Sequence, residues 1–315
     1  MNFHRKLYSV FYILILSIFL LTSSNIAKCQ AFPIYAQQSY ENPREATGRI
    51  VCANCHLAQK AVSIEVPQSV LPNTVFEATV KIPYNNQQKQ VLGDGSEGPL
   101  NMGAIVILPK GFKLASKNQI PKDIQIKNKG IYIQPYSKKN NNILVVGPIP
   151  STAHQEITFP IISPDPANNK NIHFLKYPVY VGGNRGRGQI YPSGEKSNNN
   201  TILATVTGQI QNIKSVDNDN LLIEVKDINN STVNQLIPKG INLTVALGDS
   251  IKQDEPLTID PNVGGFGQSE TEIVLQSPKR IQGMIIFFLI LTFAQVFFVL
   301  KKKQFEKVQA FERNF

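Results

Sequence analysis

Residues 76–82 read Phe76-Glu77-Ala78-Thr79-Val80-Lys81-Ile82, with an apolar side chain at every second position. Successive side chains of an extended chain point to opposite faces, so this alternation predicts a strand with one face in a core and the other in water. Working outward, further short apolar runs stand at 104–108, 131–133, 143–146, 157–162 and 273–275, with prolines and glycines between them. No long amphipathic helix competes with these runs, and the expected class is mainly β. From residue 201 to 259 the texture changes to shorter strands separated by Asn/Asp-rich turns, SVDNDN at 215–220 and DINNST at 227–232. The stretch DPNVGGFGQ at 260–268 restores the earlier style. A small β domain over 201–259, inserted into a large domain made of 32–200 and 260–278, is the organisation expected.

The two ends carry membrane signals. Residues 1–31, MNFHRKLYSVFYILILSIFLLTSSNIAKCQA, have a basic start, an apolar run from Val10 to Leu21 and a polar stretch ending in small residues. That is the pattern of a cleaved secretory signal, with the best-framed cut after Ala31 and Phe32 as the new N-terminus. Residues 281–300, IQGMIIFFLILTFAQVFFVL, hold no charge over twenty positions, enough to cross a hydrocarbon core of about 30 Å. The tail, 301–315, opens on Lys301-Lys302-Lys303, the denser basic flank, which leaves it on the cytoplasm-like side and the body across the membrane.

The formal charge of +10 is explained by these ends. Arg5, Lys6 and Lys28 stand before residue 32 without an acid, Lys279 and Arg280 precede the anchor, and the tail holds five basic and two acidic residues. The body from 32 to 278 keeps only +2, so the charge orients a chain in a membrane and does not point to nucleic acid.

Of three cysteines, Cys29 leaves with the signal, and the mature chain keeps Cys52 and Cys55 in RIVCANCHLA. A C-x-x-C pair alone could be a redox dithiol or half of a zinc site. No second pair exists for zinc, the βαβ context of a dithiol oxidoreductase is missing, and His56 completes C-x-x-C-H, the attachment motif of c-type haem. Two thiols at this spacing reach two vinyl groups on one porphyrin edge, and the next imidazole is placed under the iron. A short helix is expected to carry the motif. The sixth ligand decides between an electron carrier and a haem that binds small molecules. Met1 and His4 go with the signal, Met284 lies in the membrane span, Met102 reads as an apolar strand, and His154 and His173 sit in polar stretches. A lysine, an open position, or the new α-amino group of Phe32 remain. A haem enzyme or gas sensor would need the open position; a β-rich adhesion module would carry no haem.

Four stretches together resemble the cytochrome f family: PIYAQQSYENPREATGRIVCANCHLA after the signal, VYVGGNRGRGQIYP at 179–192, DPNVGGFGQ at 260–268 and VLKKKQFEKVQ at the anchor's end. The resemblance implies an elongated two-domain chain, an antiparallel β-sandwich haem domain with a small inserted barrel-sandwich hybrid, plus one C-terminal transmembrane helix. Within 201–259, LIEVKD and ALGDSIKQDEPL resemble hammerhead strands of lipoyl domains, without a carrier lysine at the hairpin tip.

By the same resemblance, one haem c is held through Cys52 and Cys55, with His56 and the α-amino nitrogen of Phe32 as axial ligands and Pro33, Tyr35 and Pro148 around it. The family usually starts on tyrosine; phenylalanine removes a hydroxyl and leaves the ligating nitrogen. Gln90, Asn184, Gln189, Asn199 and Asn262 align with a buried water chain, against the plainer reading that such amides satisfy backbone groups in turns. Lys89 and Lys214 align with a docking patch, weakened here by Ser96, Glu97, Asp217 and Asp219. The implied role is that of an electron carrier, no enzyme by itself, in the plastoquinol–plastocyanin oxidoreductase of plastid or cyanobacterial thylakoids, the cytochrome b6f complex. It would work beside cytochrome b6, the Rieske iron–sulfur protein, subunit IV and small subunits, and reduce plastocyanin or a soluble c-type cytochrome. Its haem domain would lie in the lumen and its tail in the stroma.

Overall fold

A computed structural model describes residues 33–85, 87–150 and 156–313. The signal segment 1–31, Phe32 and His154 lie outside the described residues. The chain divides into two compact units, the smaller made of Val91–Ser96 and Ile202–Ile259, the larger of 33–90, Glu97–Thr201 and 260–313. By sequence 91–96 belongs with the large domain, because a polar turn carries no packing signal. In the structure it clusters with the small unit, where Asp94 joins Asp219 in raising the pKa of the Lys239 ammonium, the Asp219 hydrogen bond being the larger cause.

The fold is mainly β. Up to residue 185 the strands are β1 (Ser63–Glu65), β2 (Ser69–Val70), β3 (Val75–Lys81), β4 (Lys89–Val91), β5 (Glu97–Pro99), β6 (Asn101–Ile107), β7 (Lys113–Leu114), β8 (Ile133–Pro135), β9 (Ile143–Pro150), β10 (Glu156–Ile162) and β11 (Lys176–Arg185). The small unit has β12 (Gly208–Val216), β13 (Asn220–Asp227), β14 (Thr232–Ile237) and β15 (Ser250–Ile251), and β16 (Gly265–Leu275) returns to the large one. Sheet orders are β1-β3-β10-β7 and β2-β16-β11-β6-β9-β8, with β4 and β5 as a separate ribbon. The β16–β2 pair is parallel among antiparallel neighbours.

The two large sheets enclose one core. Phe76, Ala78 and Val80 of β3 and Ile157, Phe159 and Ile161 of β10 meet Met102, Ala104 and Val106 of β6, Leu144 and Val146 of β9, and Val179 and Val181 of β11. Strand β3 alternates buried and half-buried positions as its sequence predicts, since only one face is covered. Strands β6 and β9 are different: their runs MGAIV and ILVV are buried at every position. A sheet covered on both faces needs such runs. The second face packs a separate cluster, with Ile105, Ile143, Val145 and Phe266 against Ile50 and Tyr136.

Two expectations shift in detail. The run at 131–133 forms a strand only from Ile133, because Ile131 closes a turn by donating its N–H to Asn128. Strand β16 starts at Gly265, eight residues before the run at 273–275, since its glycines and the polar SETE hide its period. In the small unit, β14-β13-β12-β15 form one sheet over Ala204, Ile210, Ile223, Val225, Ile237 and Leu257.

Three α-helices complete the described chain: α1 (Pro33–Ser39), α2 (Lys122–Lys127) and α3 (Pro278–Arg313). Helix α3, 36 residues with no buried side chain, contains an 18-residue window of mean hydropathy 2.6 and is long and apolar enough to span a membrane. The Thr292 hydroxyl inside it donates to the Phe288 carbonyl at 2.8 Å, so the span keeps this polar group satisfied within itself.

Candidate functional site

The C-x-x-C-H segment lies on the outer face of the six-stranded sheet. Val51–Asn54 form one turn of 3-10 helix, in which Ala53 donates its N–H to the Ile50 carbonyl at 3.0 Å and Cys55 to the Cys52 carbonyl at 3.2 Å, so the expected short helix is this tighter form. The turn brings Cys52 and Ala53 against the cluster of Ile50, Ile105, Tyr136, Ile143, Val145 and Phe266. Gly182 of β11 makes the room: a Cβ there would stand 2.6 Å from the Phe266 ring and 3.0 Å from Ile105. Arg44, on the incoming loop, stacks over the Tyr180 ring at 3.7 Å from its centroid.

Hydrogen bonds fix the motif at both ends. Before it, the Ile50 N–H donates to Gln268 Oε1 at 2.9 Å, and Gln268 Nε2 donates to the Gly48 carbonyl at 3.0 Å. After it, the Leu57 N–H donates to Gln189 Oε1 at 2.9 Å, and the Gln189 N–H donates to the Cys55 carbonyl at 2.7 Å. The preceding glycine, Gly188, lets the two backbones meet, since a Cβ would lie 3.1 Å from the Cys55 carbonyl oxygen.

The electrostatics are those of groups partly or wholly withdrawn from water. Burial pushes the Cys52 thiol up to about 12 and raises that of Cys55, so both stay protonated. Burial lowers His56 to about 4, which keeps its imidazole neutral at physiological pH. His56 is 6% exposed, and its Nδ1 has no hydrogen-bond partner among the described residues. Two unjoined thiols on one turn, a neutral imidazole with an unpartnered nitrogen, and an apolar sheet face fit a covalently held haem.

The other expected haem neighbours sit on elements that pack together: Pro33 and Tyr35 on α1, Pro148 on β9, with α1 lying against β9. Met102 points the other way, into the core between the sheets, where it is 1% exposed. His173 is exposed.

The five amides divide. Both ends of Gln189 meet backbone groups, and Asn262 Oδ1 accepts the Gly264 N–H at 3.0 Å. Asn199 Nδ2 donates to the Arg187 carbonyl at 3.0 Å, and Asn184 stands opposite Gly103 in the β11–β6 ladder. Gln90 Nε2 donates to the Pro99 carbonyl at 2.8 Å. Gln90 Oε1 and Asn199 Oδ1, on residues each 1% exposed, have no partner among the described residues. Lys89 pairs with Glu97 at 3.5 Å and Lys214 with Glu224 at 2.7 Å.

Gln268, Tyr136 and Gln37 did not stand out in the sequence. The amide of Gln268 lies in DPNVGGFGQ, and only its position beside an edge of the motif reveals its use.

Comparison with known proteins points the same way. The family model Apocytochrome F, N-terminal matches residues 32–186, and Apocytochrome F, C-terminal matches 198–315. Cytochrome f of Porphyra purpurea is 64% identical over 285 residues, covering 90% of this chain and 89% of that protein. Cytochrome f of Pyropia yezoensis is 59% identical over 311 residues, covering 99% and 97%, and that of Cyanophora paradoxa 58% over 287 residues, covering 91% and 89%. With a buried C-x-x-C-H turn on a β scaffold, a membrane-length helix and these matches over nearly the whole sequence, the chain belongs to the cytochrome f family of haem c electron-transfer proteins.

Proposed function

We propose that this chain is the haem-bearing electron carrier of a thylakoid cytochrome b6f complex, accepting single electrons from a Rieske iron–sulfur protein and delivering them to plastocyanin or a soluble c-type cytochrome. In this reading Cys52 and Cys55 hold the haem by thioethers, His56 is one axial ligand and the Phe32 α-amino nitrogen the other. Bound there, the group supplies a one-electron redox centre; the protein's part is to hold its ligands, exclude water and present a docking face. Cytochrome b6, subunit IV and small subunits would be its neighbours. The haem domain would lie in the lumen and the tail in the stroma, as the signal and the basic flank of the anchor imply.

The observation that carries the ligation is the placement of α1. This helix begins at Pro33, one residue after the proposed amine, and its Ala36 packs in the same cluster as Cys52 and Ala53. The match to the family's N-terminal model also begins at residue 32. Pro33, Tyr35 and Pro148 then border the haem. Gln90, Asn184, Gln189, Asn199 and Asn262 line a buried water chain; the two partnerless acceptors, Gln90 Oε1 and Asn199 Oδ1, are what supports it.

The test is N-terminal sequencing of the mature protein joined to carbon monoxide binding. Phe32 as first residue and a reduced protein inert to the gas are expected. A different first residue, or ready binding with a shifted Soret band, would overturn the amine as ligand and revive a gas-binding role.

A further inference from the structure

Helix α1 is seven residues long, too short to hold its position by its own backbone bonds, so whatever fixes it must come from elsewhere. The fixing side chain is Tyr136, 3% exposed in the cluster under Cys52 and Ala53. Its hydroxyl lies 2.5 Å from the Ala36 carbonyl and 2.6 Å from the Tyr40 carbonyl, its one proton shared between two acceptors at the helix's C-terminal turn. In return, Gln37 Nε2 donates to the Tyr136 carbonyl at 2.7 Å. The connection between β8 and β9, which carries Tyr136, adds Asn140 Nδ2 to the Glu41 carbonyl at 2.9 Å and an ion pair of Lys139 with Glu41. The Tyr40 hydroxyl accepts Asn54 Nδ2 at 3.2 Å, which joins the same turn to the C-A-N-C-H segment.

We propose that Tyr136 is a positioning residue for the sixth iron ligand: its hydroxyl holds α1 against the haem-binding segment, and so keeps the chain's α-amino end at the iron. The proposal rests on the reading of the Phe32 amine as axial ligand. The restraint comes from about a hundred residues further along the chain, through the two carbonyls that the Tyr136 hydroxyl reaches. Weakening the restraint lowers the effective concentration of the amine at the iron without touching any ligand.

The experiment uses the full haem-loaded chain in detergent, with imidazole as an exogenous competitor for the ferric iron, followed by the Soret band. Tyr136→Phe keeps the ring in its cluster and deletes only the hydroxyl. Haem content by pyridine haemochrome should be unchanged, and imidazole should bind about three- to tenfold more tightly than in the wild type, the range expected for one lost hydrogen bond. Gln37→Ala cuts the reciprocal bond from outside the core and should shift binding the same way; it decides the matter if Tyr136→Phe does not accumulate. Ile143→Val trims the same cluster without removing any hydrogen bond to α1 and should leave imidazole affinity at the wild-type value. Equal affinities in the wild type and both α1-linked variants, or an equal shift in Ile143→Val, overturn the role of Tyr136 while the amine ligand stands. A wild type that already binds imidazole like an open haem overturns the amine reading and the proposal with it.

Discussion

Gln268 Oε1 accepts the backbone N–H of Ile50 at 2.9 Å across 218 residues of sequence, and this one side chain ties the start of the C-x-x-C-H turn to strand β16. Ile50 is 1% exposed, and the Gln268 amide is the partner that satisfies its N–H. Gln268→Ala should cost about 1–3 kcal/mol, the usual penalty for a buried donor left unmade. Hydrogen exchange at the Ile50 amide is the direct measurement, and it should accelerate about tenfold or more relative to amides in β11. Unchanged exchange would mean the turn is held by packing alone.

Gly182 is where the outer sheet face has least room. In Gly182→Ala the new methyl would stand 2.6 Å from the Phe266 ring, which packs in the cluster with Cys52 and Ala53. An overpacked site of this kind loses about 1–3 kcal/mol. A lowered urea midpoint with an unchanged slope is the expected result, together with a broadened haem absorption spectrum if Phe266 yields toward the motif.

Burial pushes the Tyr136 phenol up to about 12, with the nearby Cys52 and Tyr40 as smaller causes. The folded state therefore favours the protonated form. Below the ordinary tyrosine value the group's contribution is fully present. As pH rises the unfolded chain releases its proton first, so stability falls through the window from about 10 to about 12. With Cys52 held in the proposed thioether, burial and, less, Tyr40 set the window. The difference in stability between wild type and Tyr136→Phe, followed by thermal unfolding, should shrink as pH crosses this range. A difference independent of pH would show that the phenol titrates like an exposed one.

Lys89 and Lys214 each already face a carboxylate, Glu97 and Glu224, and Glu224 has its pKa lowered chiefly by the Lys214 hydrogen bond. Paired surface ammonium groups add little to a long-range field, which is screened beyond about 8 Å at physiological salt. Lys89→Ala and Lys214→Ala should each change the association rate with an acidic soluble carrier by less than about twofold at that ionic strength. Stopped-flow reduction of the carrier over a salt series checks this; a tenfold loss would make either lysine a docking residue.

Legibility followed range. The strand at 75–81 is readable because only one of its faces is buried, so period two survives; β16 is not, because Gly265 and Gly267, set against the backbone of Ala58 and Lys60, and the polar SETE with its exposed glutamates erase the pattern. Helix α2 escaped notice because Ile124 and Ile126 stand two apart, a strand's spacing, and only Ile124 is buried.

By itself the sequence determined what depends on neighbours along the chain: the C-x-x-C-H spacing, the apolar length of residues 281–300, the alternation that makes the fold mainly β, and the short list of possible iron ligands. Tertiary structure decided what depends on which face of a strand a residue occupies and on what meets it there. It turned Met102 into the inner core and put Ile105, three residues on, under the motif. It also gave Gln268, Gln189 and Tyr136 their tasks. Spacing in sequence can encode a turn or a membrane span, because both are local, but a hydrogen bond between strands far apart in the chain exists only once the sheet has set their register.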